Sequence, residues 1–307
     1  MRDLVLTGIK GFAMGAANVV PGVSGGTIAV ITGIYQRLID ALKGFSPRTL
    51  KMLIKGDVRG ALERTDFVFL CALGVGVILS FVTLAKVLKW GFAEYPTLVW
   101  GFFFGLILAS VYYVGRTIGK WSAAGIGLFV LGFFGAAGMA LLTPASENAS
   151  FVYLFLCGIV GVCSMLVPGL SGSFVLLLMG NYELIVIDSV NALRAGELSV
   201  ALPVLVPVIL GAVAGVMLLA KVLSWLFKTY YDPAMGLVTG FITGSLVLIY
   251  PWKVPNEVLS FEGKDDKILS YSYEFPGLTG GDALTVFAIV LGVLVMVLTE
   301  RLAPAKN

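Results

Sequence analysis

Residues 18–35 read NVVPGVSGGTIAVITGIY, and this stretch decides how the rest of the chain is interpreted. Residues 21–27 within it are rich in proline, glycine and hydroxyl side chains, although the chain around them is strongly apolar. Irregular backbone of this kind needs hydrogen-bonding partners wherever it lies inside a bilayer, because hydrocarbon supplies none. Its role depends on whether the chain spans a membrane and on whether the stretch occurs again.

The composition is that of a membrane protein. The chain has 307 residues, of which 58% are hydrophobic and 13% charged, and its mean hydropathy is +0.97. A soluble domain carries about 25% charged residues, and a helix of roughly 20 apolar residues crosses a bilayer. Six runs of that kind predict membrane-spanning helices near residues 67–89, 97–115, 122–143, 201–228, 234–251 and 282–300.

Several kinds of chemistry are excluded or disfavoured by the residues present. The chain has no histidine, and its three cysteines all lie in apolar segments, as buried thiols do. The sequence contains no P-loop, no GxSxG motif, no metal-ligand spacing and no carboxylate cluster. We therefore predict a protein that is not an enzyme and has no metal and no cofactor. Nucleic-acid binding is not expected, and the N-terminus lacks a cleavable signal pattern.

The opening stretch has a second copy. Shifted by 147 residues, PGVSG at 21–25 falls on PGLSG at 168–172. LAKVLKW at 84–90 then matches LAKVLSW at 219–225, and GFFFGLI at 101–107 is paired with GFITGSL at 240–246. Since the matches occur in the same order, we interpret the chain as a duplicated unit, with repeats at 1–146 and 147–307.

Each repeat is predicted to contain a broken helical element followed by three spans. The apolar parts of the broken elements, at 4–42 and 150–188, are too short for two full crossings, which favours re-entrant hairpins. Their second helices are expected to begin near Thr27 and Phe174. An odd number of spans per repeat inverts the second repeat. The predicted fold is therefore an all-α polytopic membrane protein with two inverted-topology repeats, each a re-entrant broken-helix hairpin plus three transmembrane helices.

The distribution of charge predicts the orientation. The segment 37–64 contains seven Lys or Arg residues, which places it in the cytoplasm by the positive-inside rule. The loops at 143–150, 189–200 and 251–282 are then outside, and both termini are cytoplasmic. Lys86 and Lys89 are exceptions at an outer helix end. The same basic segment is expected to touch anionic lipid heads, and the acidic residues of the 252–282 loop are expected to be solvated.

The two broken stretches suggest an anion site. A helix that begins after a glycine-rich break offers free backbone N–H groups and the positive end of its dipole, and inverted-repeat transporters bring such breaks together. The alternative is that the small residues only permit tight helix packing. The recurrence of the motif favours the site. The residues predicted to contact a phosphate there are Asn18, Gly22, Ser24, Gly25, Gly26, Thr27, Gly169, Ser171, Gly172 and Ser173.

Charged residues near the breaks have two readings each. Arg37, Lys86 and Lys221 are predicted to face a bound phosphate, with snorkelling to the membrane interface as the alternative. Asp40, Glu183 and Asp188 are candidates for carrying a coupling ion, H⁺ or Na⁺, because ionisable residues are costly within a membrane. The alternative for Glu183 is a position near the outer interface. Tyr35 and Tyr182, matched across the repeat, are interpreted as interface-belt aromatics, with a hydrogen bond to a ligand as the alternative.

The motifs NVVPGVSGGTIAVITGIYQRLI, VPGLSG and GNYE resemble those of the bacterial polyprenyl-phosphate transporters, along essentially the whole chain. The resemblance implies a multi-pass protein of the bacterial cytoplasmic membrane. It implies that a polyprenyl phosphate, undecaprenyl phosphate, moves from the outer to the cytoplasmic leaflet. That step would recycle the lipid carrier for peptidoglycan and other envelope polymers. The second motif has Ser173 where the first has Gly26, which suggests that one break contacts the phosphate more directly.

Two other functions remain open on the sequence alone. A transporter or channel for a small soluble anion would use the same breaks. A lipid-phosphate phosphatase of the membrane is disfavoured, because the chain offers no histidine nucleophile and no acidic metal cluster. The oligomeric state is not readable from the residues.

Overall fold

The structure, a computed structural model, describes residues 2–19, 24–259, 267–277 and 280–302. The described part is almost entirely helical. Its helices are α1 (Arg2–Val19), α2 (Gly25–Ile31), α3 (Tyr35–Gly44), α4 (Pro47–Ile54), α5 (Val58–Arg64), α6 (Phe67–Glu94), α7 (Pro96–Gly115), α8 (Ala123–Gly138), α9 (Phe151–Leu166), α10 (Gly172–Leu178), α11 (Ser189–Ala195), α12 (Leu198–Thr229), α13 (Tyr231–Leu248) and α14 (Gly280–Leu302). A 3₁₀ turn (Met139–Leu141) extends α8, and a π-helical segment (Glu183–Asp188) precedes α11.

Five helices of the described part are long and apolar enough to cross a membrane, namely α6, α7, α8 with its 3₁₀ turn, α12 and α14. Large apolar side chains on these helices are exposed, including Ile78, Leu131 and Phe287, as expected for a surface that faces lipid. The chain is thus a polytopic helical membrane protein, as the composition predicts.

The sixth predicted span corresponds to α13, which is not among the five helices that are long and apolar enough to cross a membrane. This helix has 18 residues, and polar side chains such as Asp232 and Thr239 lower its hydropathy. It packs against α7 and α8, and its residues Met235 and Ile242 are buried. A helix surrounded by protein needs fewer apolar residues than one that faces lipid, so apolarity alone identifies only five of the six predicted spans.

The helices associate in four closely packed pairs, α1 with α6, α9 with α12, α7 with α14, and α8 with α13. Glycines make these contacts possible. A Cβ atom at Gly11, Gly158, Gly105 or Gly240 would collide with a backbone carbonyl oxygen of the partner helix. Such small residues let helix backbones approach closely within a bilayer, where no hydrophobic effect drives the helices together.

The two broken elements fold as helical hairpins. In the first, α2 runs back along α1, and the Lys10 Nζ donates a hydrogen bond of 2.8 Å to the carbonyl of Thr32. In the second, α10 runs back along α9, and the Tyr153 hydroxyl donates to the carbonyl of Met179 at 2.8 Å. The second helices of the hairpins begin at Gly25 and Gly172, two residues before the predicted starts at Thr27 and Phe174.

The predicted outer loop 251–282 contains structure that the sequence interpretation missed. Strands β1 (Lys253–Leu259) and β2 (Lys267–Tyr273) pair antiparallel with an irregular register. The indole N–H of Trp252 donates to the Asp282 carboxylate at 2.7 Å, which ties the base of this hairpin to α14. The acidic residues Glu262, Asp265 and Asp266, predicted to be solvated, lie outside the described residues.

Candidate functional site

The first break, between α1 and α2, is capped by neighbouring side chains. Ser24, in extended conformation, caps α2 and accepts a hydrogen bond from the Gly26 amide through its Oγ at 3.2 Å. The Asn18 side chain, at the end of α1, accepts from the Gly25 amide at 2.9 Å. The first amides of a helix have no hydrogen-bond partner within the helix. Here Asn18 and Ser24, both predicted site residues, each provide a partner for one of these amides. Gly22 lies outside the described residues.

The second break is built in a related way. Ser171 caps α10 and accepts from the Phe174 amide, and its hydroxyl lies 3.0 Å from that of Ser173. Gly169 has a φ of +85°, a left-handed conformation that favours glycine, and a Cβ there would also overlap the backbone of Phe241 on α13. Gly172 packs against Met165 of its own hairpin.

The two breaks contact each other directly, although they are far apart in sequence. The Gly169 amide donates to the Thr27 Oγ1 at 2.8 Å, and the Ser24 hydroxyl donates to the carbonyl of Val167 at 3.4 Å. Gly26 packs so closely on the carbonyl of Leu166 that a Cβ would crowd it. The structure therefore brings Ser24, Gly26 and Thr27 together with Gly169.

The site is closed in this conformation. The exposed fraction is 2% for Ser24, 1% for Thr27 and 3% for Ser171. The Gly169 amide, a candidate phosphate donor, is already occupied by Thr27. For an anion to take the place of Thr27 at the Gly169 amide, the contact between the two breaks has to open.

Tyr35 is the residue of the site that the sequence interpretation placed wrongly. Its side chain is 6% exposed, packs edge-on against Phe227, and donates from its hydroxyl to the carbonyl of Leu166 at 2.9 Å. A tyrosine of the interface belt keeps its hydroxyl at the water boundary. Tyr35 instead joins α3 to the second break. The one signal in the sequence is a tyrosine two residues after Gly33, at the start of a helix.

Two of the three predicted cations, Arg37 and Lys221, form no hydrogen bond or ion pair with the described residues of the breaks. Arg37 forms an ion pair with Asp66, with an Nε–Oδ2 distance of 2.6 Å, and its guanidinium lies 4.3 Å from the centre of the Phe69 ring. Lys221 is exposed on α12 and has no ion pair or hydrogen bond among the described residues. The side chain of Lys86 is not among those described. The snorkelling alternative fits Arg37 and Lys221 as placed here.

The predicted coupling residues lie in two different environments. Asp40 accepts hydrogen bonds from Ser224 at 3.0 Å and from Gln36 at 3.2 Å, and the Lys228 Nζ lies 3.6 Å from its carboxylate. Lys43 in turn donates to the fully buried Ser224. We call this polar cluster the α3–α12 clamp, because it joins those two helices.

Glu183 and Asp188 belong to the π-helical segment. Glu183 is half-buried and Asp188 is exposed, and neither has an ion pair among the described residues. Nearby, Asn181 is fully buried and exchanges two hydrogen bonds with the backbone of Asn148, at 2.8 and 2.9 Å. No role for Asn181 was predicted from the sequence. Its two hydrogen bonds hold the 143–150 segment against the second hairpin.

Two cavities adjoin the first hairpin. An apolar cavity of about 520 Å³, which we call the lateral cavity, lies between α1, α2, α6, α7 and α14. Ala17 and Ile28, which flank the first break, line it, and so does the exposed Leu291 of α14. A second, more polar cavity of about 470 Å³ lies beyond the C-terminal end of α2 and is lined by Tyr35, Arg116 and Glu300, among others.

Comparison with known proteins identifies similar chains. A family model described as undecaprenyl phosphate translocase-like matches residues 14–264. A polyprenyl-phosphate transporter of Vibrio cholerae is 36% identical over 292 residues, which cover 93% of this chain and 91% of the relative. A polyprenyl-phosphate transporter of Staphylococcus aureus is 27% identical over 265 residues, 82% of this chain and 88% of the relative. No solved structure matches the chain.

Proposed function

Because the chain belongs to the undecaprenyl phosphate translocase-like family, we propose that it transports a polyprenyl phosphate lipid across a membrane. It is a transporter rather than an enzyme. The finer proposal is that it moves undecaprenyl phosphate from the outer to the inner leaflet of a bacterial cytoplasmic membrane. This step returns the lipid carrier for the synthesis of peptidoglycan and other envelope polymers.

The lateral cavity is the observation that carries the proposal. It adjoins the first break at Ala17 and Ile28, and among the described residues lining it Thr32 alone is polar. A phosphate on a long hydrocarbon tail needs a polar contact for its head and an apolar passage for its tail, side by side. A small soluble anion, the alternative substrate, would gain nothing from an apolar cavity bounded by lipid-facing Leu291.

The polar cavity beyond α2 supports a route for the phosphate head. Tyr35 lines this cavity and also bonds to the second break through its hydroxyl. Arg116 supplies a cation on the side that the positive-inside rule assigns to the cytoplasm. A head group released from the breaks would enter this cavity, while its tail stays in hydrocarbon.

We also propose that the chain consists of two inverted-topology repeats, 1–146 and 147–307. Equivalent contacts recur at constant differences in residue number. Matched positions differ by 147 between α1 and α9 and by 135 between α6 and α12. Gly11 packs on the backbone of Leu73, and Gly158 packs on that of Val208. This pair of contacts lies within the repeats.

Contacts between the repeats follow the same relation. Gly105 of α7 packs on Ile289 of α14, and Gly240 of α13 packs on Phe129 of α8. The offset of 135 pairs Gly105 with Gly240, so GFFFG at 101–105 matches GLVTG at 236–240. The pairing of 101–107 with 240–246, predicted from the sequence, lies four residues further along the chain. A two-fold relation that exchanges the two interfaces accounts for both contacts.

Energetics constrain how the transport is driven. Moving one negative charge inward against an inside-negative potential costs about 2.3 kcal/mol per 100 mV. Net inward movement therefore needs a coupled cation, protonation of the phosphate, or a gradient of the lipid itself. Glu183 and Asp188 are the proposed carriers of H⁺ or Na⁺, because Asp40 is engaged by three partners in the α3–α12 clamp.

The test is leaflet-resolved accessibility of undecaprenyl phosphate in proteoliposomes with and without the protein. We expect the protein to equalise the two leaflets, and Leu291→Trp, which fills the lateral cavity, to slow this about tenfold, equivalent to roughly 1.4 kcal/mol. Leu294→Trp, on the lipid-facing side of the same helix, is the matched control and should retain the rate. Flux of a soluble anion without lipid movement would support the alternative substrate and refute the proposal.

A further inference from the structure

A third cavity lies apart from the breaks and the transport route. It measures about 410 Å³ and separates the linker helices α4 and α5 from the membrane-spanning α12. Its walls are almost wholly apolar and include Leu50, Leu53 and Leu62 of the linker and Val213 and Met217 of α12. We call it the linker groove. It shares no lining residue with the lateral cavity or with either break.

The depth of the linker groove places it in hydrocarbon. Met217 precedes Lys228, near the end of α12, by 11 residues, which is about 16 Å along a helix that rises 1.5 Å per residue. Val213 lies deeper still, and its side chain is 53% exposed. An apolar space at this depth, open beside a lipid-facing helix, is filled by hydrocarbon rather than water.

The roof of the groove is amphipathic and basic. Leu50 and Leu53 of α4 turn toward the groove, whereas Lys51 and Lys55 lie elsewhere around the helix and are exposed. Arg48, Lys51, Lys55 and Arg64 have no ion pair among the described residues, unlike Arg59, which pairs with Glu63. Helices of this pattern lie in the plane of the interface, apolar face down, and their basic side chains attract anionic lipid heads.

We propose that the linker groove binds one anionic phospholipid of the surrounding membrane, with an acyl chain in the groove and the phosphate beside the basic face of α4. The long Lys and Arg side chains reach around the helix to the head group, as they do at membrane interfaces. The occupant is a bulk membrane lipid and not the transported one, because the groove is separate from the breaks. This lipid fills a gap between the first half of the chain and α12 that no side chain of the described residues fills.

The experiment is native mass spectrometry of the delipidated full chain, incubated with equimolar palmitoyl-oleoyl phosphatidylglycerol and phosphatidylcholine. We expect one phosphatidylglycerol to be retained in preference to phosphatidylcholine. Met217→Trp, which fills the groove, should lower this retention about tenfold. Arg48→Gln combined with Lys51→Gln should remove the preference for phosphatidylglycerol and leave phosphatidylcholine binding unchanged.

Leu218→Trp is the matched control, since Leu218 is the next residue of α12 and is 65% exposed outside the groove. Retention that is equal in Met217→Trp and the unmodified chain, or lost equally in Leu218→Trp, would overturn the proposal. So would a change of oligomeric state in Met217→Trp, which would make a second copy the occupant, or displacement of the lipid by undecaprenyl phosphate. If Met217→Trp does not fold, Leu53→Gln in the exposed linker wall must give the same loss.

Discussion

The hydrogen bond from the Gly169 amide to the Thr27 hydroxyl is one of the contacts that hold the two breaks together. Both groups are buried, so neither has water as an alternative partner. A phosphate that takes the amide must displace the threonine hydroxyl, and one hydrogen bond is exchanged for another. Opening the contact therefore costs little free energy when the phosphate is present, and more when it is absent.

Thr27→Val tests this account. The valine keeps the shape of the side chain but removes the acceptor, which leaves the Gly169 amide unpaired and costs about 1–3 kcal/mol. We expect the melting temperature to fall by several degrees, whereas Thr27→Ser should stay close to the unmodified protein. Thermal unfolding in detergent measures both variants. An unchanged melting temperature in Thr27→Val would show that the contact contributes nothing to the closed state.

Asp40 provides a prediction about pH, since α3 lies outside the five candidate spans. Burial alone would raise the pKa of this carboxyl, but hydrogen bonds from Gln36 and Ser224 and the charge of Lys228 outweigh it and lower the pKa. A lowered pKa stabilises the fold above the ordinary titration range, and the stabilisation is lost as pH falls through the lowered value. The α3–α12 clamp is therefore expected to persist at every pH above about 4.

The measurement is the difference in melting temperature between the unmodified chain and Asp40→Asn. The difference should be small because the carboxylate is partly exposed. We expect it to be constant from about pH 5 to 8 and to become smaller below about pH 4. A difference that changes steeply between pH 6 and 8 would instead indicate that Asp40 exchanges protons near neutrality, as a proton carrier must.

At the residue scale, the sequence predicted the glycines and hydroxyls of the breaks but not their partners. Ser24 and Ser171 are recognisable because each precedes a helix and can cap it. The roles of Tyr35 and Ser224 depend on residues more than 100 positions away in the chain, and no local pattern encodes such contacts. Long-range side-chain pairing is therefore the part of the site that required the structure.

At the scale of elements, hydrophobic runs locate the long helices to within a few residues, because a bilayer sets their length. The same signal fails where protein replaces lipid, as in α13. It also fails where a charged loop folds on aromatic side chains, as β1 and β2 do beside Tyr250 and Tyr273. The register of the repeat at α13 stays a prediction, for a related reason. Glycine-rich helices match at several offsets, and the contacts of Gly105 and Gly240 favour an offset of 135.

Substitution of the packing glycines tests the proposed repeat. Gly105→Ala and Gly240→Ala each place a methyl group against a backbone carbonyl of the partner helix, and overpacking of this kind costs about 1–3 kcal/mol. Equivalent positions should give similar losses of melting temperature. Gly127→Ala, where the added methyl meets no atom within 4 Å, is the control and should not lower the melting temperature. Strongly unequal losses at Gly105 and Gly240 would argue against equivalent interfaces.

At the scale of the whole molecule, the two halves are not arranged identically. Helix α3 of the first half packs against α12 of the second through the α3–α12 clamp, whereas the described residues show no comparable packing of α11 against α6. Two inverted repeats that exchange their conformations would exchange these contacts as well. On the proposed function and the proposed repeats, the structure corresponds to one end state, closed where α3 meets α12, and we expect transport to require that contact to open.

Cross-linking tests whether the contact must open. In a chain whose native cysteines are replaced, Asp40→Cys with Lys228→Cys, two partly exposed positions, joins the two halves through a thiol-reactive linker. We expect lipid movement to fall to the level of protein-free liposomes and to recover when a cleavable linker is reduced. Arg37→Cys with Asp66→Cys is the matched control, because this pair joins α3 to α6 within the first half. Full transport with α3 fixed to α12 would mean that the halves do not separate there, and that the lipid passes the breaks by local opening of the Thr27–Gly169 contact alone.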